Sequence, residues 1–328
     1  MFKKLIPAAA LLATVGVAHA ELNVYGLVDV SYGKSIADDA NGKGARWHSG
    51  GDDGGNGGGG QGNSTTRFGI KGGMELSEGL RANFKLESAE IDHYLKVGQN
   101  SKTFFARQAW AGLSGGFGEV RFGRQDSVPF QVMGAYDFNG QANVVSALAN
   151  SGVAPWGRGR QTQSLQYISP SVNGFKAQIG VAAKEDSTDN AKAATSGALT
   201  YAAGKFSVSV AAESSRTQGG ENFTGVAGSY DFGFAKVMAG YAEGFYGSKS
   251  YGPSFGVVAP IAGFNVGMHY GKDNESKVDA TEFFVNREIF KNTYAYFDYG
   301  HKDNHHARSN KAYALGVIYV FDLEVLGR

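Results

Sequence analysis

The sequence predicts an all-β fold: a sixteen-stranded antiparallel transmembrane β-barrel with short periplasmic turns, long external loops and a third loop folded inward. Three observations predict it. Short segments of alternating polarity run along nearly the whole chain. Their connections alternate between short and long. One long stretch, 125–161, does not alternate at all. Successive side chains of a strand point to opposite faces, so one apolar and one charged face suits lipid on one side and water on the other.

The chain opens with Lys3-Lys4 and an apolar run from Leu5 to Val17, then Ala18-His19-Ala20. That is the pattern of a secretory signal peptide over 1–20, with 21–328 as the barrel. No later run approaches the ~20 apolar residues that a spanning helix needs. There are 49 Gly, 6 Pro and no Cys, and the formal charge is +1. Absent cysteine excludes a disulfide framework, thiolate metal ligands and a cysteine nucleophile. The balanced charge gives no sign of a nucleic-acid partner. The 22 Phe and 16 Tyr suit sheets and membrane-interface girdles.

Strands are predicted at 22–33, 64–75, 79–91, 103–114, 118–124, 162–169, 174–184, 195–202, 205–214, 222–231, 234–244, 251–259, 262–271, 279–287, 293–300 and 310–321. In 80–87, Leu80, Ala82, Phe84 and Leu86 share one face, and Arg81, Asn83, Lys85 and Glu87 the other. Phe175, Ala177, Ile179 and Val181 against Lys176 and Gln178 repeat the pattern, as do Phe206, Val208 and Val210 against Ser207 and Ser209. So do Phe264, Val266, Met268 and Tyr270 against Asn265 and His269. A packed soluble sandwich would bury the charges of the polar face at high cost; a water-filled lumen removes that cost. An even strand number puts both termini on the short-turn side.

The 125–161 stretch is too long to be an idle connection, and it is read as a plug that narrows the mouth. Basic residues gather around it. With Phe68 and Ile70 facing lipid, Arg67 and Lys71 point inward, as do Arg81 and Lys85 on the next strand. Arg107 is inward if Phe104 and Trp110 face out, which leaves Gln108 facing out, toward another subunit. Arg158 and Arg160 close the loop, and Asp126 and Asp137 lie within it. Arg124 shares a face with Val120 and Phe122 and is read as a hinge or subunit-interface residue. Arginines stay charged; a row of them facing loop carboxylates sets a field across the pore, and charged rings tune ion selectivity. The predicted constriction is therefore Arg67, Arg81, Lys85, Arg107, Asp126, Asp137, Arg158 and Arg160.

Other features are read as structural. The glycine-rich stretch 50–62 lacks the strand-loop-helix setting and the Gly-Lys-Ser/Thr of a phosphate cradle. His301, His305 and His306 with Asp303 have no metal-site spacing, and Asp186 with Asp189 and Lys272 with Glu275 sit in ordinary exposed loops. No nucleophile elbow is present, and no catalytic residue, cofactor or metal is expected.

The chain resembles the general diffusion porins of Gram-negative bacteria, of the β-proteobacterial trimeric type. The resemblance covers the mature chain and rests on motifs in order. They are Val24-Tyr-Gly-Leu-Val-Asp29, Thr66-Arg-Phe-Gly-Ile-Lys-Gly72, Leu76-Ser-Glu-Gly-Leu-Arg-Ala-Asn-Phe-Lys-Leu-Glu-Ser88, Phe105-Ala-Arg-Gln-Ala-Trp-Ala-Gly-Leu-Ser114, Phe117-Gly-Glu-Val-Arg-Phe-Gly-Arg-Gln125 and Tyr167-Ile-Ser-Pro170. It implies a homotrimer of sixteen-stranded barrels in outer-membrane lipid and lipopolysaccharide, passing small solutes and ions. It also implies that Arg67, Arg107 and Arg158 line the pore opposite acidic third-loop residues, with Asp137 among them. Two departures stand out. Such porins end on an aromatic residue, which Phe321 fits, but 322–328 follow as an extension. The loop is also poor in acids, which favours weak anion selectivity. A substrate-specific porin with an aromatic track of Tyr136, Phe138 and Trp156 is the second reading. A barrel enzyme is the third, and it lacks a catalytic cluster.

Overall fold

The computed structural model describes residues 20–48, 62–88, 91, 104–142, 144–185 and 190–326. The predicted leader therefore lies outside them except for Ala20, and so does most of the glycine-rich stretch. The described residues form one antiparallel sheet of seventeen strands. β1 (Ala20–Lys34) pairs on one side with β17 (Asn310–Leu326) and on the other with β3 (Arg67–Ser77), which closes the sheet into a cylinder. β2 (Arg46–His48) is a three-residue strand that pairs with the end of β1. The other sixteen strands are the barrel wall, and each prediction above overlaps one of them. No helix among the described residues is long and apolar enough to cross a membrane. Closed strands satisfy every backbone hydrogen bond in lipid and are the means of crossing here.

The alternation holds in three dimensions. Ile179 and Val181 are exposed on the outside of β8 (Phe175–Ala182), whereas Gln178 is buried on the inside. Phe206 and Val210 of β10 (Phe206–Glu213) face out and Ser209 faces in. His269 is fully buried inside β14 (Phe264–Asp273) while Met268 is exposed outside. The exposed Val, Phe, Leu and Tyr side chains form the lipid-facing surface.

Two boundaries differ from the sequence reading, each for a physical reason. β5 (Gln108–Gly115) begins five residues later than expected, because residues 104–107 form a turn and a bend. Alternation cannot be counted through such a break. Gln108 and Trp110 stand opposite Glu87 and Lys85 of β4 (Leu80–Glu87), so both face inward. The expectation that they face out is corrected, and no subunit interface is needed for Gln108. At the other end, β17 runs through the segment set apart as an extension: Asp322 pairs with Tyr25 and Glu324 with Asn23. β1 is itself long enough, from Ala20, to give those residues hydrogen-bond partners.

The long stretch joins β6 (Gly118–Asp126) to β7 (Arg160–Ile168). It is the third long connection, here L3. A register shift between Gly123 and Gln125 turns the chain inward. Gly123 takes φ +134, and a Cβ there would lie 2.3 Å from the Ala109 carbonyl, so only glycine fits the bulge. Ser127 then caps α1 (Val128–Met133), accepting from the Phe130 N–H at 3.2 Å and donating to the Arg158 carbonyl at 2.5 Å. The same serine thereby ties the two ends of L3 together.

Candidate functional site

L3 divides the interior unequally. Met133, Tyr136, Leu148, Ala154 and Trp156 pack with Ala211, Ala227, Met238 and Ala242 on the inner wall of β10, β11 (Phe223–Asp231) and β12 (Lys236–Glu243). Val144 and Val145 pack with Tyr296 of β16 (Thr293–Asn304) and with Ala312 and Ala314 of β17. The loop lies on that half of the barrel, and the open lumen is bounded by β1 and β3–β6. Tyr136 and Trp156 are 2% and 4% exposed, so they form no aromatic track along the pore.

Polar anchors complete the attachment. Tyr136 Oη is 3.0 and 2.9 Å from the hydroxyls of Ser207 and Ser209. The Phe138 N–H donates to His269 Nε2 at 3.1 Å. Asn139 Nδ2 donates to Glu282 Oε1 at 2.6 Å and to Asp298 Oδ1 at 3.1 Å. Glu282 lies on β15 (Val278–Phe290); its other oxygen accepts the N–H of Ala147, the first residue of α2 (Ala147–Ser151), at 3.0 Å. Asn63 joins Asn139 to Asp298 from the other side. Sequence reasoning missed this cluster. Its signal was present as inward carboxylates, Glu282 and Asp298, on a wall with no arginine beside them.

Asp137 belongs to this cluster and not to the lumen, which corrects its assignment to the constriction. Its side chain is fully buried, 3.9 Å from His269 Nδ1. Burial pushes its carboxyl up from the usual range; His269 pulls it back and Glu282 pushes it further up.

The opposite wall carries the cations. Glu87, nearly buried, gathers three of them: Arg107 Nε at 2.6 Å, Arg67 Nε at 3.8 Å and Lys85 Nζ at 3.8 Å. Tyr25 donates to the same carboxylate at 2.9 Å, and Lys71 and Lys85 lie 5.1 and 5.2 Å from the centre of its ring. Arg160 Nε is 3.2 Å from Asp126, whose second oxygen accepts from Gln108 at 3.0 Å. Arg107 and Arg160 both lie close enough to Arg67 to repel it. Among the described residues these four cations pair with two carboxylates, Glu87 and Asp126, a net of +2 for that group.

Arg81 and Arg158 fall outside this group. Arg81 pairs with Glu21 at 2.5 Å near the short-turn end. It is six residues from Glu87, roughly 20 Å along a strand. Arg158 turns toward the long loops, its guanidinium 5.9 Å from the Tyr246 ring centre; Arg160 stands closer to Arg67. Arg121, not singled out by the sequence, stacks on Trp110 at 4.4 Å and pairs with Glu119 at 2.6 Å. Arg124 of β6 donates to the carbonyl of Ala106 in the turn before β5.

Residues 8–307 match the family model described as Gram-negative porin. The chain belongs to the Gram-negative porin family. It is 30% identical over 287 residues to an outer membrane porin protein of Bordetella pertussis, covering 76% of this chain and 72% of that one. It is 29% identical over 307 residues to outer membrane porin protein 32 of Delftia acidovorans, covering 85% and 82%. Among solved structures, an anion-selective porin from Comamonas acidovorans superposes with TM-score 0.70 at 22% identity, covering 92% of this chain and all of that one. This porin is an outer-membrane β-barrel that forms a water-filled channel for passive diffusion of small hydrophilic solutes and ions. A sixteen-stranded barrel is wide enough for such a channel, and L3 narrows it.

Proposed function

We propose that this porin is a general diffusion channel with a weak anion preference, set where Arg67, Lys85, Arg107 and Arg160 face L3. One observation carries the proposal: among the described residues, the ion pairs of those four cations run to Glu87 and Asp126, while the other loop acid, Asp137, is sealed behind the loop. Pore walls of one sign and low dielectric focus the field on passing ions. The preference is weak because half the charge is neutralised in place. The anion-selective porin from Comamonas acidovorans has the same fold and agrees with this sign.

The working unit is a homotrimer in lipid and lipopolysaccharide. A Vibrio cholerae outer membrane protein of the same fold has a trimer form, with TM-score 0.62. The outward positions Gly72, Ala82, Ala109 and Ala111 of β3–β5 are small, which suits close approach of a neighbouring barrel. The channel does no chemistry on its solutes.

The test is a reversal potential. In a planar bilayer with a salt gradient, the expected potential has the sign of anion flow and a magnitude well below the ideal anion limit. A cation-favouring potential would refute the charge assignment.

A further inference from the structure

We propose that the lipid-facing surface of β10–β15 holds one phospholipid of the periplasmic leaflet, its phosphate on Arg287 and an acyl chain in a hollow further into the membrane. The inference goes beyond the channel and uses only the placement of the barrel in a membrane. Every residue from 190 to 326 is described, so these strands and the short turns between them are complete.

Arg287 faces outward. On β15, Glu282 and Phe284 are buried inside and Phe283 is exposed outside, and Arg287 shares the face of Phe283. Its guanidinium lies 5.1 Å from the ring centre of Phe264 and 3.8 Å from the Cβ position of Gly263 in the short turn. The exposed Phe264, Phe290 and Tyr319 mark the aromatic girdle at that end, which is headgroup depth, where an arginine on the lipid face costs little. The outward neighbours of Arg287 are apolar: Val285 and Ile289 on its own strand, Phe264 on β14 and Ala295 on β16. Among the described residues it has no carboxylate in ion-pair range. An exposed guanidinium held at headgroup depth matches a phosphate, which it can meet with two parallel hydrogen bonds.

The hollow lies on the same outer surface and has a volume of about 560 Å³, within the range of small-molecule sites. Gly228 of β11 and Ala239 of β12 stand side by side in its floor. Tyr230, Phe255 of β13 (Tyr251–Ile261), Met268 and Tyr270 stand around it. Met268 is four residues along β14 from Phe264, roughly 13 Å of strand. One leaflet's share of the hydrocarbon core is roughly 15 Å, so a chain that starts at Arg287 reaches the hollow. The small outward residues of β3–β5 lie on the opposite side of the barrel in strand order, which leaves this side to lipid. A flexible chain enters a pit ringed by bulky side chains; the flat wall of a second barrel does not.

The experiment is lipid titration of the detergent-solubilised protein, read by native mass spectrometry, with dioleoylphosphatidylglycerol and dioleoylglycerol. The first phosphatidylglycerol on each chain should bind about tenfold more tightly than dioleoylglycerol, the scale of one charge-assisted contact. Arg287→Gln should remove that advantage and leave dioleoylglycerol unchanged. Ala239→Leu, which fills the floor of the hollow, should weaken both lipids. Both side chains point away from the interior, so neither variant should change L3 or the mass of the oligomer. Equal affinity for the two lipids, or either variant binding phosphatidylglycerol as the native protein does, would overturn the proposal. So would displacement of phosphatidylglycerol by an equal concentration of glycerol 3-phosphate, which would mean a site for free phosphate. A smaller oligomer in Arg287→Gln would put a neighbouring barrel on this face and overturn it as well.

Discussion

Replacing Arg67 and Arg107 together by glutamine should abolish the anion preference. The pair supplies two of the four cations proposed to set the selectivity, and both lean on Glu87. Without them Lys85 and Arg160 face Glu87 and Asp126, and the net falls from +2 to zero. A unit charge ~7 Å from a passing ion in water is worth ~0.6 kcal/mol. Two such charges act with opposite sign on anions and cations, and with screening by salt they are enough to bring a weak anion preference down to a permeability ratio of about one. Reversal potentials of wild type and variant measure this directly. A replacement pair at Arg81 and Lys71, whose carboxylate partners lie toward the short-turn end, should move the potential much less. Equal shifts from the two pairs would mean that selectivity is spread along the lumen and has no narrow seat.

Removing the amide of Asn139 should loosen L3. That side chain donates to Glu282 and Asp298 and accepts from Asn63. Asn139→Ala leaves two buried carboxylates short of a donor, at a cost of about 1.5–3 kcal/mol for each charge-assisted bond. The wall strands keep their own pairing, so the barrel should still assemble. The loop should then loosen at its centre, between the contacts around Tyr136 and Trp156 and those of Val144 and Val145. Single-channel records should show a noisier current with a shifted unitary conductance, and the channel should lose resistance to heat. Quiet records identical to wild type would show that the apolar contacts alone fix the loop.

Much of the fold was legible in the sequence because a barrel wall is written with a period of two. Each of the sixteen segments could be assigned from its own alternation, and the inward positions of Arg67, Lys85 and Glu87 followed from the same count. The count failed wherever the chain leaves ideal strand geometry. The turn at 104–107 hid the inward faces of Gln108 and Trp110, and the bulge at Gly123 confused the frame that leads into L3. The inward directions of Arg67 and Lys85 were legible, and the direction of Asp137 was not. Arg67 and Lys85 sit on wall strands whose alternation sets their direction, whereas Arg107 reaches Glu87 from the turn before β5. Asp137 sits on a loop whose direction is set by Glu282, Asp298 and His269, more than a hundred residues away. Nothing local in Tyr-Asp-Phe-Asn-Gly says which side of the loop meets the wall. For the same reason Arg158, two residues from Arg160, turned to a different neighbour.

The division of the interior between an open cationic wall and a wall covered by L3 is tested most directly by thiol accessibility, which the absence of native cysteine makes clean. Asn83→Cys places a thiol on the inner face of β4, and Ser209→Cys places one beneath Tyr136 on β10. Exposure of open channels to a negatively charged thiol reagent should modify Cys at position 83 within the recording and lower the anion current. The thiol at position 209 should stay unmodified until the protein is unfolded. Rapid modification at 209 together with protection at 83 would place the loop on the opposite wall and contradict the account.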